Sequence, residues 1–149
     1  MSWLHWDLAP WQDDLLATTR FLTRLRREQP ALRQRAFFGS RPPQDDGTVD
    51  LAWFGTDGAQ MTHDAWHDPS TRTLQVLFGG APVDADPVLV VLAGRGDDTV
   101  VTLPPPPWGS GYRLVWDSAD EVPAAAPAEP VRGAVTVTAR SMRVYLVDR

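Results

Sequence analysis

Two histidines four residues apart have the spacing that most resembles a pair of metal ligands in this chain. His63 and His67 would share one face of a helical turn, with Asp64 and Asp68 beside them, as in a metal-binding pair. No glutamate lies between the histidines, and the local sequence offers no third ligand. The pattern therefore favours a solvated turn that begins after an N-cap at Thr62, and we predict no metal site.

Paired carboxylates are the second pattern with chemical potential, because they suggest glycoside hydrolysis. That reaction needs two carboxyl groups held about 5–10 Å apart across a sugar-binding cleft. The pairs Asp45-Asp46, Asp97-Asp98 and Asp120-Glu121 instead lie in predicted loops, where acidic residues usually serve turns and solubility. The sequence also contains no G-x-S-x-G elbow and no glycine-rich phosphate loop. We therefore predict no catalytic residue, no cofactor-binding residue and no cofactor.

Tryptophan is the third feature, since the chain has 7 of them in 149 residues. Trp53 and Trp116 lie within apolar runs and are predicted to be core residues. Trp66 is expected to fix a short helical turn onto the domain. Trp108 follows four prolines and is predicted to be the most exposed of the β-region indoles. Together with Tyr112 and Trp66, it is a candidate platform for sugar stacking.

One helix and a series of short strands must position these side chains. From Asp13 to about Gln29 the apolar residues form a helical stripe, flanked by acidic residues at its start and arginines at its end. The predicted strands are Leu51–Phe54, Thr73–Phe78, Pro87–Ala93, Thr99–Leu103, Tyr112–Trp116, Ala134–Thr138 and Met142–Val147. Seven short strands separated by turn signals predict a mainly β fold, an antiparallel β-sandwich preceded by one α-helix.

Two details of the β region can also be predicted. The run from Val88 to Leu92 is continuously apolar, which is typical of a central strand covered on both faces. The sequence Gly94-Arg95-Gly96 predicts the tip of a hairpin.

Composition excludes several classes of function. The chain carries 14 basic and 19 acidic residues, so its net charge is −5 and nucleic acid is an unsuitable partner. All 14 basic residues are arginine, which excludes lysine Schiff-base chemistry. The absence of cysteine fits a cytoplasmic location. No apolar run approaches the length of a membrane span, so we predict no membrane association.

A series of local motifs resembles one known family. In order, the chain contains SWLHWDL, RFLTRLRREQPALRQRAFF, LAWFGTDGAQMTHDAW, PVLVVLAG, YRLVWDSAD and RSMRVYLV. This series is similar to the C-terminal end of glycogen-debranching enzymes of the isoamylase type, in glycoside hydrolase family 13. Such enzymes typically have the pattern W-F-x-x-D-G-x-x-M-T-x-x-D-W, which residues 53–66 match at every defined position except 65. Ala65 replaces the aspartate of that pattern, and Ala93 replaces an asparagine common in the family.

The resemblance implies a division of the chain into two parts. Residues 1–38 would be the last helical segment of a (β/α)8 barrel, and residues 39–149 the C-terminal β-sandwich. The catalytic carboxylates of the family would all lie upstream, so none is assigned here. We expect a non-catalytic fragment of an α-1,6 debranching hydrolase that supports the catalytic barrel in cis, in glycogen metabolism. A carbohydrate-binding module and a free-standing interaction domain are the alternatives.

Separation from a barrel would expose an apolar surface at the N-terminal end. Its predicted members are Trp3, Trp6, Trp11, Leu15, Leu22 and Leu25. Contiguous exposed apolar surface tends to find a partner. We therefore predict that the helix either folds back onto the sandwich or self-associates. Glycogen or a maltooligosaccharide is the other candidate partner.

Overall fold

Two helices and seven strands make up the part of the chain that the computed structural model describes, which is residues 6–35, 38, 50–124 and 126–148. The helices are α1 (Pro10–Glu28) and α2 (His63–His67), and a 3-10 turn (Pro30–Arg33) follows α1. The strands are β1 (Leu51–Phe54), β2 (Thr73–Phe78), β3 (Val88–Ala93), β4 (Thr99–Thr102), β5 (Gly111–Asp117), β6 (Ala134–Val137) and β7 (Ser141–Asp148).

The strands form two antiparallel sheets. The larger sheet has the order β1-β2-β3-β7-β5, and the smaller one pairs β4 with β6. In the larger sheet Val90 of β3 is aligned with Val76 on one side and Val144 on the other. The predicted mainly β, antiparallel sandwich with one N-terminal helix is therefore confirmed, and so is the central position of β3.

The main core lies between the two sheets. Alternate residues of β3 point to opposite faces, as the pleat requires. Leu89 and Val91 belong to this core, together with residues of the smaller sheet such as Val101 and Val137. The prediction for the loop after β3 was wrong, because β3 and β4 do not form a hairpin. Both edges of β3 are already paired, with β2 and β7, so the loop carries the chain into the smaller sheet.

The second apolar cluster lies on the opposite face of the larger sheet, beneath helix α1. Leu25 and Ala31 pack there with Val88, Val115 and Val144. Other residues of this cluster or packed against it are Phe21, Leu22, Leu32, Phe78, Val90, Trp116, Met142 and Leu146. The helix therefore covers the outer face of the larger sheet, which is the first of the two outcomes predicted for it.

The predicted exposure is consequently wrong for two residues of that surface. Leu25 is only 8% exposed, and Leu22 is partly buried against the same cluster. Their burial follows from the position of α1, whose C-terminal half lies on the sheet. The helix also begins earlier than expected, at Pro10 rather than Asp13. Proline is well suited to the first helical position, since its missing N–H would have no intrahelical partner there.

Candidate functional site

The turn that follows β1 needs glycine at its centre. The Oδ1 of Asp57 accepts a hydrogen bond from the backbone N–H of Ala59 at 3.0 Å. Gly58 has a φ of +77°, and a Cβ at this position would lie 2.9 Å from the carbonyl oxygen of Thr102. The turn therefore packs directly against the end of β4, in a conformation that favours glycine. This packing explains the Asp-Gly pair of the motif physically.

Helix α2 follows the turn and carries Trp66. The Oγ1 of Thr62 accepts a hydrogen bond from the N–H of Ala65 at 3.2 Å, so the predicted N-cap is confirmed. The indole of Trp66 packs edge-to-face on Trp53, with ring centroids 5.4 Å apart. Trp66 thus fixes α2 onto the edge of the sheet, as predicted. Trp66 as a whole remains 48% exposed.

A polar cavity of about 340 Å³ lies between this turn, α2 and the segment that leads into β2. Its lining includes Asp57, Met61, Asp68, Arg72, Thr73 and Arg95. Arg95 comes from the loop after β3, so three separate loops and one helix enclose the cavity. Polar groups dominate its walls, and Met61 and Ala65 contribute an apolar part.

Two carboxylates and two guanidinium groups line the cavity. The Oδ1 of Asp68 accepts the backbone N–H of Ser70 at 2.7 Å. Backbone and side-chain hydrogen bonds from Ser70 lower the pKa of Asp68 below its usual value, so this carboxyl stays ionised at neutral pH. Arg72 donates to the carbonyl oxygens of Pro69 and Thr71. The formal charges of the two carboxylates and the two guanidiniums cancel.

Two buried polar side chains of β2 adjoin this region and were not singled out from the sequence. Thr73 lines the cavity, and its buried Oγ1 has no hydrogen-bond partner among the described residues. Gln75 is completely buried, and its Nε2 donates to the carbonyls of Gly55 and Thr102 at 2.7 and 2.9 Å. Gln75 therefore links the turn after β1 to the end of β4. The available signal was the alternation of T-L-Q-V-L-F, which places Thr73 and Gln75 on the same face as Leu77.

Two of the three predicted sugar platforms are unsuitable in the structure. Tyr112 is only 2% exposed, and its hydroxyl donates to the carbonyl of Pro104 at 2.7 Å. Trp108 is half-buried, because its ring packs edge-to-face on Phe54 with centroids 5.1 Å apart. Both side chains help to form the core between the sheets. The interpretation of Tyr112 as a sugar contact and of Trp108 as the most exposed indole is therefore corrected. The most exposed tryptophan of the β region is Trp66.

The exposed part of the helix stripe is confirmed at its N-terminal end. Trp6 is 78% exposed, Trp11 64% and Leu15 59%. Trp3 belongs to the same predicted surface but lies outside the described residues. The stripe of α1 therefore runs from an exposed end to a buried end, with Leu22 and Leu25 on the sheet.

The histidine pair shows no metal-site geometry among its described neighbours. The rings of His63 and His67 lie 4.2 Å apart, and the Nδ1 of His67 donates to the carbonyl oxygen of His63 at 2.7 Å. Within the described ranges, no group of three or more His, Cys, Asp or Glu residues is placed to hold a metal ion. A search of the same ranges for a helix long and apolar enough to cross a membrane also finds none.

The fold places the chain among antiparallel β-sandwich domains, here with a helix on the outer face of one sheet. Comparison with known proteins identifies the family. Residues 50–147 match the family model described as "Isoamylase, C-terminal". The chain therefore belongs to the isoamylase C-terminal domain family, and the predicted resemblance is confirmed.

Several curated proteins are similar to the chain. The "Glycogen operon protein GlgX homolog" of Mycobacterium tuberculosis (strain ATCC 25618 / H37Rv) is 35% identical over 86 residues, which cover 57% of this chain and 12% of that protein. The "Glycogen debranching enzyme" of Cronobacter sakazakii is 34% identical over 108 residues, or 72% of this chain and 14% of the enzyme. The "Isoamylase" of Pseudomonas amyloderamosa is 23% identical over 120 residues, or 80% and 14%. The match thus covers a small part of each relative.

Proposed function

We propose that the chain is the non-catalytic C-terminal domain of a glycogen-debranching hydrolase and that it supports the catalytic domain structurally. The observation that carries this proposal is the apolar stripe of α1. Near its C-terminal end Leu25 is buried and Leu22 partly buried against the sheet, while Trp6, Trp11 and Leu15 are exposed. An exposed surface of this kind marks a protein–protein contact. We assign that contact to the catalytic domain of the same enzyme.

The electrostatics of the polar cavity support a non-catalytic role. A glycosidase needs one carboxylic acid whose pKa is raised, so that it can protonate the leaving group. In the cavity, hydrogen bonds from Ser70 instead lower the pKa of Asp68. Asp68 is therefore an unsuitable proton donor, and we expect the purified chain to release no linear glucan from glycogen. Release of linear glucan, measured as new reducing ends, would contradict the non-catalytic assignment. The cytoplasmic location inferred from the sequence stays a prediction.

A chimaera tests the supporting role directly. The matching segment of the Cronobacter sakazakii debranching enzyme is replaced by this chain, and the midpoint of thermal inactivation of glycogen debranching is measured. We expect the chimaera to keep its activity with a midpoint near that of the parent enzyme. The double substitution Trp11→Asp with Leu15→Asp should lower that midpoint, because it places two charges in the proposed contact.

Two controls make the outcome interpretable. Val100→Asp introduces a charge at a residue of β4 that is 62% exposed and lies far along the chain from α1, and it should leave the midpoint unchanged. The Trp11→Asp and Leu15→Asp substitutions should also leave the urea unfolding of the chain itself nearly unchanged, since both side chains are exposed in it. A doubly substituted chimaera as stable as the unsubstituted one would refute the proposal, and so would an unsubstituted chimaera that is unstable.

A further inference from the structure

Helix α1 leaves one end of the outer face of the larger sheet exposed. The register places apolar side chains of β2, β3 and β7 on this face in three rows across the strands, which are Phe78-Val88-Leu146, Val76-Val90-Val144 and Leu74-Leu92-Met142. Leu25 of α1 packs in one cluster with Val88 and Val144, from the first two rows. In the third row Leu92 is 37% exposed, although β3 is the central strand. The third row is therefore an apolar surface at the end of the area that the helix covers.

Two arginines lie at the rim of the third row, which lines an open depression of about 560 Å³. Arg72 comes from the segment before β2 and Arg140 from the turn before β7, and both residues are exposed. The described residues that line the depression include no carboxylate. Neither guanidinium forms an ion pair within the described part of the chain. In a chain of net charge −5, this apolar row with a positive rim fits an apolar segment that carries carboxylates.

The exposed N-terminal end of α1 is a segment with that chemistry. Trp11 and Leu15 lie one turn apart and are both exposed, and Trp6 precedes them. Asp14 shares the side of the helix that carries Trp11, since it follows three residues later, and Asp7 is next to Trp6. Among the described residues, neither carboxylate has an ion-pair partner. This end of α1 therefore complements the third row in both hydrophobicity and charge.

The two surfaces also agree in width. Neighbouring strands lie about 4.8 Å apart, so the third row spans about 10 Å across three strands. An α-helix with its side chains is about 10–12 Å wide, so one helix covers the row. The helix of the same molecule has its C-terminal end on the other two rows and its N-terminal end exposed. A helix on the third row therefore has to come from another molecule.

We infer that the exposed N-terminal end of α1 docks on the third row of a second copy of this chain. Trp11 and Leu15 contact Leu92, and the two aspartates face the two arginines. Because each copy carries both surfaces, two contacts of this kind can close a symmetric pair. The inference concerns the chain by itself and does not rest on the proposed function, in which the same end of α1 meets the catalytic domain.

Sedimentation equilibrium of the 149-residue chain tests the inference, at concentrations from about 10 μM to about 1 mM that suit a small interface. We expect the average mass to rise with concentration from 16.5 kDa toward twice that value. Arg72→Glu with Arg140→Glu, and separately Asp7→Arg with Asp14→Arg, should each weaken association at least about tenfold, because like charges then meet. An equimolar mixture of the two double variants should associate again, since their reversed charges complement each other.

Two matched controls test whether the position of each charge matters. Asp13→Arg makes the same change beside Asp14 but on the side of the helix opposite Leu15, and Arg132→Glu reverses an exposed arginine before β6. Neither should alter association. A chain that stays monomeric at every concentration would overturn the inference. Association that the double arginine variant leaves intact would also overturn it, and so would a mixture of the two double variants that stays monomeric.

The chimaera separates this contact from the proposed supporting role. The double arginine variant should leave the midpoint of its thermal inactivation unchanged, because the third row has no part in the proposed contact with the catalytic domain. A lowered midpoint would overturn the assignment of the third row to a second copy. An unstable chimaera made with the unsubstituted chain would refute the supporting role and leave the self-association result standing.

Discussion

Replacement of Leu25 by alanine tests whether helix α1 is part of the folded sandwich. Leu25 is 8% exposed and packs with Val88, Val115 and Val144 on the outer face of the larger sheet. Removal of a buried leucine side chain usually costs about 2–5 kcal/mol. Leu25 also borders an open cavity of about 350 Å³ between α1, the sheet and the loop around Pro127, so it has fewer contacts to lose than a fully enclosed residue. We therefore expect a loss of about 2–3 kcal/mol, from the lower end of that range.

The assay is urea unfolding followed by tryptophan fluorescence, since Trp116 belongs to the same cluster. A loss of this size should also lower the thermal midpoint by about 5–10 °C for a chain of this length. Leu15→Ala is the matched control, because it makes the same change on the same helix at a residue that is 59% exposed. We expect its effect to stay within about 0.5 kcal/mol. Equal losses for the two variants, or no loss for Leu25→Ala, would refute the packing of α1 on the sheet.

Two further substitutions test the turn after β1 and the buried tyrosine. Gly58→Ala should destabilise the chain by about 1–3 kcal/mol in urea unfolding, because φ is +77° and a Cβ would meet backbone atoms. Gly96→Ala, where a Cβ would meet nothing within 4 Å, should be nearly neutral, and equal effects would contradict the reasoning. Burial raises the pKa of Tyr112 above its usual 10.0, so the unfolded chain loses this proton first and stability should fall as the pH rises above about 10. Tyr112→Phe should reduce this loss of stability at alkaline pH, and Tyr145, whose pKa is also raised by burial, should account for the part that remains. The same substitution should cost about 1 kcal/mol at neutral pH, because the hydrogen bond to the carbonyl of Pro104 is lost. An unchanged dependence of stability on alkaline pH would contradict this role of Tyr112.

The strands were predictable from the sequence because their signals are local. The alternation of residues 73–78 and the continuous apolar run of residues 88–92 each depend only on neighbouring residues and on the pleat. Turn residues between the runs then fixed the approximate ends. The observed strands accordingly lie within one or two residues of the predicted ones. The N-cap at Thr62 was predictable for the same reason, since a cap acts over three residues.

Burial of single side chains was less predictable, because it depends on contacts that are distant in sequence. An apolar stripe on α1 shows that the helix has a partner, but it does not show that Leu25 reaches the sheet while Leu15 does not. The partial burial of Trp108 has the same origin, since its indole packs on Phe54, which is distant in sequence. The polar cavity could not be predicted from the sequence, for a further reason. Its lining is brought together by loops whose mutual positions depend on which strands pair.

Helix α1 has a consequence for the modular limits of this domain. The segment that matches the family model begins at residue 50, after the helix. A module cut at that point would keep every strand but leave one side of the larger sheet, with Val88, Val115 and Val144, facing water. The shortest segment of the chain that covers both faces of the larger sheet therefore begins inside α1. A gene fusion that transfers the domain would therefore have to carry the end of this helix with it.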